Sequence, residues 1–352
     1  MNQPHQSNVS CCTYSLKDLS PANFALVMAT GIVSTAAHAL GFVRIASALF
    51  QLNIAAYVLL CVLYAWRVIR YWRRAVADLF DHLASFGYFT FVAATCILGA
   101  QFIIFSDNER IAMVLWWVGL FSWIFFTYVI FAGLSLKRTK PALEGGIGGA
   151  WLLAVVATQS VALLSLHLAS RFAEWPLNFF ALALWLWGGM LYIWIIALIF
   201  YRYTFLRLTP ENLLPPYWIN MGAMAIATLV GAALIVSAPN SDLFQSLLPF
   251  LKGITLFYWA AGTWWLPLLL ILGVWRHLWR RYPLSYDPLY WSVVFPLGMY
   301  AACTHALRSV FGITLLSRIA MAFFYVALLA WMIVFIGALR RMALVLVRRL
   351  GR

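Results

Sequence analysis

Apolar residues run along this chain in ten stretches, approximately 22–43, 45–65, 85–105, 112–134, 150–169, 177–199, 217–237, 247–270, 289–311 and 319–339. A hydrocarbon core ~30 Å thick is crossed by about 20 residues of helix, so the pattern predicts an all-α integral membrane protein with ten spans. The odd stretches begin near 22, 85, 150, 217 and 289. Their starts recur about every 65 residues, and a near-constant period reads as one repeated unit, here a helical hairpin used five times. Broken half-spans of the inverted-repeat kind are not seen.

Polar residues divide unevenly between the two sets, although the sets are nearly equal in total length. Ser, Thr, Asn, Gln and His number 21 in the odd stretches and 8 in the even ones. Polar groups facing lipid are costly. The odd helices are therefore expected inside, around a central pore or cavity, with the even helices outside.

Composition and charge set the frame. The chain is 65% hydrophobic and 10% charged, which places a membrane domain at 22–339 between a short N-terminal segment, 1–21, and a basic C-terminus, 340–352. A net charge of +14 would suit nucleic acid, but its distribution does not. Of the 24 Lys and Arg residues, 18 lie before the first stretch, after the even stretches or in the C-terminus, and 6 lie elsewhere. The positive-inside rule then puts both termini in the cytoplasm, with a bacterial inner membrane as the expected location. Residues 1–20 lack a signal-peptide pattern. Cys11, Cys12, Cys61, Cys96 and Cys303 form neither a disulfide framework nor a metal spacing. Trp116, Trp117, Trp151, Trp175, Tyr217, Trp218 and Trp291 lie near span ends and read as an interfacial belt.

All ten Asp and Glu residues fall outside the ten stretches. A cation path or carboxylate proton relay keeps acids inside the bundle. A lumen of hydroxyls, amides and aromatic rings instead suits an anion, which weak donors attract without trapping. His38, His167 and His305, with Gln101 and Arg308, fall in the outer third of odd stretches. They are predicted to form a basic outer vestibule that concentrates anions and titrates near neutrality. No two ligands share an i, i+4 helix face, so no metal or other cofactor is expected.

Asp78-x-x-Asp81-His82 reads as helix N-terminal acids favoured by the dipole. Gly145-Gly146-Ile-Gly148-Gly149 lacks the strand and Lys-Ser/Thr ending of a phosphate loop and reads as a flexible approach to the fifth span. The chain has no G-x-S-x-G elbow, H-E-x-x-H helix or paired carboxylates, and it is not expected to be an enzyme. The alternative is a membrane enzyme or sensor whose cavity binds an anion without passing it.

The ninth stretch combines Trp291-Ser-Val-Val-Phe295-Pro296-Leu-Gly298 with Thr304-His305 and Arg308. Pro296 lacks an N–H and crowds the carbonyl of Ser292, so a kink is expected there. Such a loss is tolerable in lipid only beside other helices or a water-lined cavity. Phe295 at the bend could plug a path lined by small side chains, for which Gly31, Ser34, Thr95, Thr158 and Gly298 are the candidates.

Several separated motifs are similar to one family. Pro21-Ala-Asn-Phe-Ala-Leu-Val-Met-Ala-Thr30-Gly31-Ile-Val-Ser34 resembles the start of the tellurite-resistance/dicarboxylate transporter family, which includes plant slow anion channels and fungal malate and sulphite transporters. Asp81-His82, Ala94-Thr95-Cys96-Ile-Leu-Gly99, Pro216-Tyr-Trp-Ile-Asn220-Met-Gly-Ala and Tyr286-Asp-Pro-Leu-Tyr-Trp291 through Phe295-Pro296-Leu-Gly298-Met extend the resemblance over all ten spans. It implies five hairpins with odd helices lining a pore, and a homotrimer with one pore per subunit. It also implies that the phenylalanine before the ninth-helix proline, here Phe295, occludes that pore, with Gly31 close to the constriction. The expected partners are the lipid bilayer and a small anion, either a C4-dicarboxylate such as malate or an inorganic anion, and not nucleic acid. The long phosphorylated tails of the plant channels have no counterpart, so kinase regulation is not carried over.

Overall fold

The computed structural model describes residues 16–172 and 175–350. Ten long helices run through them. They are α1 (Ala25–Ala39), α2 (Val43–Arg70), α3 (Phe89–Ser106), α4 (Glu109–Leu136), α5 (Leu153–Phe172), α6 (Trp175–Phe205), α7 (Ile219–Ser237), α8 (Leu248–Val274), α9 (Trp291–Phe311) and α10 (Leu315–Leu350). No strand occurs among the described residues. Nine of these helices, with their flanking turns, are long and apolar enough to cross a membrane, against the ten expected. The exception is α9, which includes Ser292, Thr304, His305 and Arg308. The helix α10 also runs well beyond the expected end of the membrane domain at 339.

Consecutive helices pack as pairs, α1 with α2 through α9 with α10. The odd helices also pack in sequence, α1 on α3, α3 on α5, α5 on α7, α7 on α9 and α9 back on α1, closing a ring. The most apolar windows of α1, α3, α5 and α7 are 67–94% buried, and those of the five even helices 28–50%. The polar enrichment of the odd stretches thus marks the inner layer.

Each ring helix opens with a tight 3-10 turn, respectively Pro21–Phe24, Ser85–Tyr88, Gly149–Leu152, Pro215–Trp218 and Pro288–Tyr290. Proline suits a first helical position because its missing N–H would have no partner there. Side-chain oxygens take up other free amides at these turns: Asp81 accepts from Leu83 and Ala84 at 2.9 and 2.8 Å, and Asp287 accepts from Leu289 at 2.8 Å. Gly149 is required for close approach, since a Cβ there would stand 2.3 Å from the carbonyl oxygen of Pro216.

A second fivefold feature ties each pair together. The C-terminal part of every outer helix, or the turn that extends it, sends a basic side chain to a backbone carbonyl just before its partner's opening turn. Arg67 donates to Lys17, Lys137 to Phe80, Arg202 to Ile147, Arg276 to Leu213 and Arg341 to Tyr286. In the sequence these cations are topology signals; in the fold they also satisfy carbonyls that no helix ladder reaches. Arg67 further pairs with Asp78.

A third ties each outer helix to the next pair. Tyr57 of α2 shares a hydrogen bond with Thr95 of α3, Trp123 of α4 donates to Thr158 of α5, and Trp185 of α6 to the carbonyl of Ala227 in α7. Trp259 of α8 donates to Thr304 of α9, and Trp331 of α10 to Thr30 of α1, which completes the circle. Much of the expected aromatic belt belongs to such contacts. Trp116 donates to Ser165, and Trp151 to the carbonyls of His82 and Gly146. Tyr217 and Trp291 are buried, Trp117 remains exposed, and the side chain of Trp175 lies outside the described residues.

Candidate functional site

Two cavities lie along the ring. One, of about 340 Å³, sits at the end where the ring helices open, called here the basic end. Its wall includes Ala22, Gly87, Leu153, Tyr217 and Ser292, one from the start of each ring helix or its opening turn. The other, of about 300 Å³, is lined by residues nearer the far end of all five, including Ile32, Ile97, Leu163, Leu229 and Met299. From Ala22 to Ile32, Gly87 to Ile97 and Leu153 to Leu163 the separation along the helix is the same each time, ~15 Å of helical rise.

On α9 the interval is shorter, and Phe295 falls inside it. It lies three residues after Ser292 and four before Met299, spacings that put all three on one helix face. Phe295 is fully buried, at 0% exposure. The ring of Pro296 packs against α7 at Gly222, where a Cβ would come within 2.7 Å of its Cγ. Ser292, whose carbonyl the proline deprives of its helical donor, borders the basic-end cavity.

The five proposed lining residues lie at contacts between helices. Ser34 donates to the carbonyl of Ala46 in α2 at 2.8 Å, Thr95 bonds Tyr57 of α2, and Thr158 accepts from Trp123 of α4. A Cβ on Gly31 would meet Ile97 at 2.7 Å and Asn53 at 2.9 Å, and one on Gly298 would meet Ile32 and Val33 at 3.1 Å. None of the five borders either cavity. They occupy seams between helices, because a hydroxyl is satisfied as well by a neighbouring tyrosine, indole or carbonyl as by water.

Of the five residues expected at an outer vestibule, one lines the far cavity. His167 borders the far cavity, with Thr35 and Ser309 as its other polar neighbours there, and the rest of the wall is apolar. His38 is exposed at the end of α1, edge-on to Phe105. Gln101 is buried and accepts from Asn53 at 2.7 Å. The half-buried His305 and the exposed Arg308 lie on α9 outside the cavity wall. Asn53 is the residue that sequence reasoning missed. An amide within the apolar stretch of an outer helix was the available signal, since it needs a partner when buried.

No group of three or more His, Cys, Asp or Glu able to hold a metal occurs among the described residues. The basic-end cavity does hold one charge at depth. Arg202 borders it at 6% exposure, donating through Nη1 to the carbonyl of Ile147 and to the hydroxyl of Tyr217.

The sequence pattern described as SLAC1, voltage-dependent anion channel, matches residues 18–339. An uncharacterized membrane protein of Mycobacterium tuberculosis is 36% identical over 155 residues, 44% of this chain and 77% of that protein. Two uncharacterized transporters of Methanocaldococcus jannaschii are 24% and 25% identical over 337 and 332 residues, covering 93% and 91% of this chain and 95% and 92% of theirs. A closed ring of helices with a cavity at either end, no acid within the apolar stretches, and a match over nearly the full length agree with one another: the chain belongs to the SLAC1 voltage-dependent anion channel family, whose members transport anions.

Proposed function

We propose that this protein passes small anions, either C4-dicarboxylates such as malate or inorganic anions, along the axis of the helix ring, with Phe295 as the gate. The observation that carries the reading is the position of that ring: fully buried, on the face of α9 shared by Ser292 in one cavity and Met299 in the other. A phenyl group there blocks by bulk and offers a passing anion no hydrogen bond, so the barrier is both steric and dehydrating. The ten helices cross a bacterial inner membrane as five hairpins, with the basic end and both termini in the cytoplasm. Three subunits assemble, each with its own path.

Purified protein in liposomes, assayed for uptake of malate, succinate, nitrate, chloride, sulphite and tellurite, tests this directly. Flux of one or more supports it, and a current that follows voltage and ignores a pH gradient makes it a channel. The full burial of Phe295 favours one competitor, an anion-binding protein that does not conduct. Saturable binding without flux, both in the intact chain and in Phe295→Ala, would establish that instead.

A further inference from the structure

Among the five basic side chains that hold the pairs together, Arg202 is set apart by its surroundings. Arg67 has Asp78 as counter-ion, Lys137 is exposed, and Arg341 is half-buried over the ring of Tyr286. Arg276 is nearly as buried, at 7% exposure, and no carboxylate among the described residues pairs with it either, but its unpartnered Nε is sealed off and it does not border the basic-end cavity. Its neighbour Glu211 has a carboxyl held below the usual range by backbone and Thr209 hydrogen bonds and by Arg276 and Arg280. Arg202 also lies over a ring, 5.7 Å from the centre of Tyr217, but it is more than nine-tenths buried, and among the described residues no carboxylate pairs with it. A buried cation without a counter-ion is unfavourable unless something else supplies the charge.

The geometry says what that could be. Both protein acceptors, the Ile147 carbonyl and the Tyr217 hydroxyl, are taken by Nη1. Nε and Nη2 have no acceptor among the described residues, yet are not sealed-off polar atoms, and the residue borders the basic-end cavity. The Nε–Nη2 edge presents two parallel N–H bonds, the fork that matches two oxygens of one planar anion. Asp81 also borders the cavity, but its carboxylate is occupied by the amides of Leu83 and Ala84. Glu144 and Glu211 border it as well, and both are exposed to solvent, where their fields are screened. The ring helices begin around this cavity, so the positive ends of their dipoles add to the guanidinium.

We propose that Arg202 forms a binding site at the basic end for a planar oxyanion, a carboxylate, nitrate or hydrogencarbonate, which docks side-on before reaching the Phe295 layer. This rests on the transport reading for its purpose, and its test separates the two. The full chain in detergent is titrated with sodium nitrate and with sodium malate replacing chloride at constant ionic strength, and thermal unfolding is followed. Nitrate and malate should raise the midpoint beyond chloride. In R202Q the concentration for half the effect should rise at least about tenfold. An equal response to nitrate, malate and chloride, or an unshifted midpoint concentration in R202Q, overturns the site.

Should R202Q fail to assemble, R202K decides. A lysine keeps the charge and can still reach Ile147 or Tyr217, but it lacks the fork, so affinity for nitrate should fall at least about threefold. Unchanged affinity makes Arg202 a structural tie alone. Flux in liposomes is read in parallel. Binding that depends on Arg202 without flux defeats the transport reading and keeps the site, whereas flux with unaltered half-saturation in the variants does the reverse.

Discussion

Pro296 and Gly222 fit together as ring and notch: a Cβ added to Gly222 would lie 2.7 Å from Cγ of the proline and 3.3 Å from its Cα. A proline ring can neither swing aside nor shorten, so the position of α9 against α7, and with it the aim of Phe295, depends on the absence of that one carbon.

Gly222→Ala should therefore destabilise the protein by about 1–3 kcal/mol, the usual cost of overpacking a tight contact, and should alter flux by displacing Phe295. Thermal unfolding in detergent beside flux per assembled molecule checks both effects. An alanine variant of normal midpoint and normal flux would mean that α9 shifts freely and that the notch sets nothing.

Truncating the gate gives outcomes of opposite sign. Phe295→Ala should raise anion flux per folded molecule about tenfold or more, a barrier change of ~1.4 kcal/mol, with the order of preference among small anions kept. If the ring serves packing alone, the loss is ~3–5 kcal/mol of stability and flux does not rise. Flux normalised to correctly assembled protein distinguishes them.

The ion pair between Arg67 and Asp78 offers a test of the ties at the basic end. Arg67 is 2% exposed, and Asp78 retains 31% of its side-chain surface. Asp78→Asn leaves a buried cation uncompensated, which costs about 3 kcal/mol, toward the low end for such breaks because Asp78 is partly solvated. A lowered unfolding midpoint is expected, and the double change Arg67→Met with Asp78→Asn should recover part of it. A single variant as stable as the parent would remove this pair from the account of the fold.

His167 is the one ionisable side chain among the described residues that line the far cavity. His167→Leu should weaken anion entry from that side by about threefold to tenfold in half-saturating concentration, while His38→Gln leaves it unchanged because that ring lies outside the wall. The measurement is flux against external anion concentration at fixed voltage. Equal effects of the two substitutions would restore the wider ring of histidines that the sequence suggested.

That the chain is all-helical, with many helices long and apolar enough to cross a membrane, was legible in the sequence alone. It follows from a one-dimensional quantity, the length of apolar runs. Rotation about each helix axis is not such a quantity. Thr95 and Thr158 mark their helices as inner, yet both hydroxyls face outer helices, because Tyr57 and Trp123 offer them hydrogen bonds from there. Gly31 likewise serves the approach of Ile97 and Asn53. Only the tertiary structure decided which side chains reach the two cavities and which seal the seams. It also showed that Arg202, one of many cations at helix ends in the sequence, is buried and borders a cavity. Charge and hydropathy place a residue at a depth in the membrane; what it faces there is set by the partners that neighbouring helices supply.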